Sequence, residues 1–163
     1  SVASRGLGDV YKRQLPLMTL ALGLSLFTFT LLMAATGLLI VWSRGSSWPV
    51  ASEMALTTWA VGDPQMQRMP PSSLLRLIAL ALALGGVTAL ALGLELPAVL
   101  NDLAFYAGSG FCGVFALRGV CGFLPFWRKR FTGEPFATLD RTIYSPCCIL
   151  IAEAFFTLLS ERS

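Results

Sequence analysis

Histidine is absent from the 163 residues, and charge of either sign is scarce. The first absence removes the side chain that most often binds metals and most often serves as a general base near neutral pH. The second excludes an ordinary soluble domain. Charged residues make up 13% of the chain, against about 25% in soluble proteins, too few to cover a folded surface in water. Cysteine is sparse as well. Cys112, Cys121, Cys147 and Cys148 form no C-x-x-C pair, and adjacent Cys147 and Cys148 are poor geometry for a metal site or an ordinary disulfide. All four fall in apolar stretches and read as small buried hydrophobes. No nucleotide, metal or catalytic motif stands out, so no catalytic, cofactor-binding or metal residue is assigned and no cofactor is expected.

What the chain has in abundance is apolar. Hydrophobic residues make up 55%, gathered into runs near bilayer length, so the expected solvent is lipid. Residues 4–14, SRGLGDVYKRQ, look like a translated transposase adapter of the kind used to prepare sequencing libraries. Residues 1–14 are therefore set aside as an artefact of assembly, and the native start is left open. The formal net charge of +3 includes Arg5, Lys12, Arg13 and Asp9 from this stretch; without them nine basic and eight acidic residues remain. That balance supplies no argument for a nucleic-acid partner.

Residues 15–163 read as a single all-α transmembrane domain with four spans, at about 15–42, 77–94, 97–124 and 145–160. The first is too long for a signal-peptide core of about 7–15 residues. The second lies between Arg76 and Glu95 and repeats small residues at Ala81, Gly85, Ala89 and Gly93. That stripe admits a close helix neighbour, either within the chain or from a partner. The third is rich in glycine and is expected to be the central, most closely packed helix. In the first long loop, Pro49 can start a helix over 48–60, with Trp48, Ala51, Ala55 and Trp59 on one face. Its tryptophans suit the headgroup layer, so it is expected to lie on the membrane surface.

Basic residues set the expected orientation. Arg44, Arg68 and Arg76 lie in or beside the first long loop, and Arg128, Lys129, Arg130 and Arg141 in the second, whereas Arg162 stands alone on the other side. The positive-inside rule then puts loops 43–76 and 125–144 in the cytoplasm and both termini outside, in a multi-pass protein of the cell membrane.

Asp102, Arg118 and Glu153 fall within the expected spans, where a charge costs at least about 2.5–3.5 kcal/mol. Asp102 is within reach of water near a helix end. Arg118 lies seven residues before Pro125 and Glu153 seven after Pro146, so both sit about 10 Å from one surface at about 1.5 Å per residue. Matched depth makes them a candidate intramembrane ion pair. The alternatives are a polar site that takes a headgroup or small anion through Arg118, and independent snorkelling. Arg128, Lys129 and Arg130, beside Trp127 and Phe131, are candidates for anionic headgroups at about 1 kcal/mol each, or serve only to set topology.

Several loop stretches carry a resemblance to a known family. Trp42, Gly45, Trp48 and Pro49 carry the resemblance after the first span, followed by Leu56, Val61, Gly62, Met69 and Pro70. Arg118-Gly119-Val120, Gly122-Phe123, the run from Pro135 through Phe136 and Asp140 to Arg141, and Tyr144-Ser145-Pro146 with Cys148 carry it in the second half. Leu39 stands where relatives often have histidine, and Cys147 where they often have leucine. These stretches resemble the DUF3995 family of small four-helix integral membrane proteins of unknown function, which implies four helices and supplies no activity. The reading favoured by the sequence is a non-enzymatic helical scaffold or partner subunit, in contact with the bilayer and with a second copy or another membrane protein. The alternatives are a lipid or small-anion carrier using Arg118 and Glu153, and a headgroup-level membrane enzyme using Asp140 with Tyr144.

Overall fold

A computed structural model describes the backbone of residues 2–66, 68–94 and 96–162, with side chains from residue 20 onward. The adapter-like stretch therefore has no described side chains, and Glu95, expected to close the second span, lies outside the described residues. The helices are α1 (Val2–Ser43), α2 (Glu53–Ala60), α3 (Ser72–Gly93), α4 (Ala98–Cys121), α5 (Pro125–Arg130), α6 (Phe136–Leu139) and α7 (Ser145–Ser160). A π-helical turn, Asp140–Tyr144, joins α6 to α7, so that 136–160 is one continuous helical run. Four segments are long and apolar enough to cross a membrane: Leu20–Ser43, Ser72–Gly93, Ala98–Cys121 and Phe136–Ser160. The chain is all-helical among its described residues, with four spans and a short helix in the first loop.

Helix α1 is rich in hydroxyls, and lipid offers them no partner. Those among the described residues turn back onto their own helix: Ser25 donates to the Leu22 carbonyl, Thr28 to Leu24, Thr30 to Leu26, Thr36 to Leu32 and Ser43 to Ile40, at 2.8–2.9 Å. Ser25, Thr28, Leu32 and Thr36 recur at three- and four-residue steps and are all buried. This face packs on α3. A Cβ on Gly93 would lie 2.1 Å from the Ser25 hydroxyl oxygen, and Gly85 and Gly86 meet Leu32 and Phe29. The small-residue face of α3 is thus used inside the chain, except that Ala81 is exposed.

The second helix pair is α4 with α7. Phe155 of α7 is fully buried and stacks between Phe111 and Phe115 of α4, with ring centroids 5.9 and 6.3 Å away. Around it Ile151, Ala152 and Leu158 join Leu32 of α1, Ala89 and Leu92 of α3 and Ala104 of α4 in one core. The most deeply packed span is therefore the last one, not the third as its glycines led us to expect. Gly108 and Gly119 do receive neighbours, Leu92 and Ile149, but a Cβ on Gly110 or Gly113 would meet nothing within 4 Å. Glycine composition marks permission to pack closely; it does not say which face is used.

Several boundaries differ from expectation for local reasons. Helix α3 starts at Ser72, directly after Pro71, because the charge of exposed Arg76 ends no helix. Helix α4 closes at Cys121, three residues before the expected end. Helix α2 begins at Glu53, where the Ser52 hydroxyl accepts the Ala55 N–H at 3.2 Å, so Trp48 precedes it and shares no helical face with Trp59. Gly62, at φ +67°, ends it in the left-handed conformation that glycine adopts freely. The largest correction concerns 136–144, expected as loop. Pro146 donates no N–H, which ordinarily stops a helix. Here the π turn passes it, with the Ser145 N–H bonded to the Asp140 carbonyl five residues back.

The two long connections meet at one end of the bundle. The Gly133 N–H donates to the Gly62 carbonyl at 3.0 Å, and the Tyr144 hydroxyl donates to the Trp59 carbonyl at 3.2 Å. Phe136 packs so closely on Gly62 that a Cβ there would fall 2.1 Å from its ring.

Candidate functional site

The loop end holds the charges that the fold has to accommodate. Arg118 points from the last turn of α4 toward the π turn, with Gly119 and Gly122 beside it. One guanidinium nitrogen donates to Asp140 Oδ1 at 2.5 Å and the other to the Ser145 hydroxyl at 3.3 Å. Ser145 in turn donates to Asp140 Oδ1 at 3.3 Å, and the Trp127 indole N–H donates to Oδ2 at 3.0 Å. The Arg118 Cζ also lies 4.9 Å from the Trp127 ring centroid, within cation–π range. Asp140 is 3% exposed, yet both its oxygens are satisfied and its charge is matched. A Cβ on Gly122 would lie 1.8 Å from the Ser145 hydroxyl oxygen and 3.1 Å from Asp140 Oδ2, so this glycine makes room for the pair.

Arg118 thus pairs with Asp140 and not with Glu153. Glu153 is exposed, in an outward groove with Cys112, Ala116, Val120, Ile149 and Phe156. Arg118 is two residues from both Ala116 and Val120, hence about 160° round α4 from that groove at 3.6 residues per turn. Matched depth placed the two charges at one level; the azimuth separates them.

A second ion pair joins the connections. Arg130, at the end of α5, donates to Asp63 Oδ2 at 2.6 Å. That hydrogen bond, followed by one from the Gln65 N–H to Oδ1 at 3.0 Å, holds the Asp63 carboxyl below the usual carboxylate range. The same contact pushes the Arg130 guanidinium up. A row of aromatic rings backs this latch: Trp127 to Phe131 at 4.5 Å, Phe131 to Phe136 at 6.0 Å, and Phe136 to Tyr144 at 5.8 Å.

Between α5 and the π turn lies an open cleft of about 660 Å³. Arg128, Lys129 and Arg141 line it, with Trp127 and Phe131 on its apolar side and Glu134 and Asp140 as its carboxylates. Asp140 is already held by Arg118, and among the described residues the three cations make no ion pair. The basic cluster seen in the sequence is therefore divided. Arg130 belongs to the latch, Arg128 and Lys129 face the cleft, and Arg141 joins them from the π turn.

The positions that carried the family resemblance gather at this end. Gly45, at φ +86°, turns the chain after α1, and the Trp42 indole N–H donates to the Trp48 carbonyl at 2.8 Å, just before Pro49. Pro70 leads into α3; Gly62, Phe136 and Tyr144 form the loop contact, and Gly122, Asp140 and Ser145 the buried cluster, with Pro146 at its edge. Cys148 packs half-buried against the core. Elsewhere Asp102 is exposed at the opposite end, where the Arg162 guanidinium donates to the Leu94 carbonyl. Among the described residues no three of His, Cys, Asp and Glu converge as metal ligands, and the four cysteines are unbridged. Asp63, Trp127 and Ser145 are partners that the sequence does not mark. Their signal is weak, since Asp140 and Ser145 share a face only through the π turn.

Four apolar spans capped at one end by a polar latch define a multi-pass integral membrane protein. Residues 31–155 match the family described as Protein of unknown function (DUF3995), and the chain belongs to it. That stretch includes the buried cluster, the latch and the cleft. No curated protein and no solved structure matches the chain.

Proposed function

We propose that this protein is a non-enzymatic helical membrane scaffold that holds an anionic lipid headgroup in the cleft beside α5, with its loop end in the cytoplasm and both termini outside. The cleft supports this reading: Arg128, Lys129 and Arg141 line it without an ion-pair partner. Its aromatic side suits the headgroup layer, where tryptophan is favoured. Arg118 organises the site from behind; its charge is spent on Asp140. The same commitment of both Asp140 oxygens argues against this carboxylate as a free base for headgroup chemistry.

Native mass spectrometry of protein released from mild detergent tests the reading. The expected result is a retained anionic phospholipid that is lost when Arg128, Lys129 and Arg141 are all changed to glutamine. Retention at the wild-type level in a folded triple variant contradicts it.

A further inference from the structure

On the opposite helix pair, a second cleft of about 540 Å³ opens between α1 and α3. Its walls are Ile40, Leu80, Ala79 and Ala83, the two alanines leaving a furrow along α3. Thr36 and Ser43 also line it, but their hydroxyls are bonded to backbone carbonyls, so the floor is in effect apolar. Arg44, just beyond α1, and Arg76, on the first turns of α3, stand at its loop end. Neither makes an ion pair among the described residues, and Arg76 reaches only the Ser72 hydroxyl of its own helix, at 3.5 Å. Two uncompensated guanidinium groups at the headgroup end of an apolar furrow match one molecule class: an anionic phospholipid, with phosphate on the arginines and an acyl chain along Ile40, Leu80 and Ala83. The positive N-terminal end of α3 adds to the attraction. The volume lies within the about 300–1,000 Å³ of small-molecule sites.

We infer that this furrow is a second anionic-phospholipid site, separate from the cleft beside α5 and independent of it. The test is native mass spectrometry of the full chain reconstituted with phosphatidylglycerol and phosphatidylcholine. Wild-type protein is expected to carry two phosphatidylglycerol molecules. Arg44→Gln with Arg76→Gln should bind the second one about thirtyfold more weakly, at about 1 kcal/mol for each basic residue, and keep the first. The Arg128, Lys129 and Arg141 variant should keep the furrow lipid, so either site can fail without the other. Ala83→Leu fills the furrow and leaves both arginines in place, and it too should lose the lipid. Unchanged occupancy in the arginine variant overturns the inference, as does equal binding of phosphatidylcholine. Retention in a folded Ala83→Leu variant also overturns it, because the arginines would then attract lipid without a seated chain.

Discussion

Arg118 is the residue on which the loop end depends most. Its charge is costly near lipid, and Asp140, Ser145 and the Trp127 ring together offset that cost. Removing one partner of such a pair leaves the other uncompensated. Arg118→Leu is expected to destabilise the protein toward the low end of about 3–5 kcal/mol, since Arg118 keeps some exposure, and Asp140→Leu in the same chain should restore much of the loss. Glu153→Leu, the rescue expected had Glu153 been the partner, should give none; thermal melts in detergent distinguish the two. Gly122→Ala should cost about 1–3 kcal/mol by overpacking against Ser145, whereas Gly113→Ala, which meets open space, should be neutral or stabilising. Arg118 was legible in the sequence because a charge in an apolar run demands a partner. The partner's identity was not, because residue counts give depth along a helix while the pairing is decided by direction around it.

Among the elements, the π turn and α5 do what their sequences least advertise. Asp140–Tyr144 realigns the last span so that Asp140 and Ser145 face Arg118 together, and nothing in a 3.6-residue period announces it. The four spans were legible, since long apolar runs report the solvent directly; the helix over 136–144 was not, because Pro146 and Asp140 both read as loop. Helix α5 brings Arg130 to Asp63, and this contact is sensitive to acid. The Asp63 carboxyl is held below its ordinary value of about 3.9, so its contribution is full above that value and is lost as pH falls through the lowered one. Amide exchange in residues 61–66 and 131–135 should therefore accelerate only below about pH 4. Asp63→Asn should abolish that acid dependence and show the faster exchange already at neutral pH.

At the scale of the whole molecule, the seven basic residues expected on one side lie in connections and helix ends that physically meet, as Gly62 with Gly133 and Asp63 with Arg130 demonstrate. A net positive surface at one end of an apolar bundle, with seven basic residues against Glu53, Asp63, Glu134 and Asp140, favours the anionic leaflet. Reporter fusions at the C-terminus should therefore report the outside, and a thiol-reactive probe on a Thr132→Cys variant the cytoplasm. The central claim at this scale is that the cleft beside α5 holds an anionic headgroup. Its most direct measurement is hydrogen–deuterium exchange of the protein in nanodiscs of phosphatidylglycerol against phosphatidylcholine. Slower exchange confined to 125–142 in the anionic discs, and abolished by the Arg128, Lys129 and Arg141 substitutions, is the predicted result. Identical exchange of that segment in the two lipids contradicts the account.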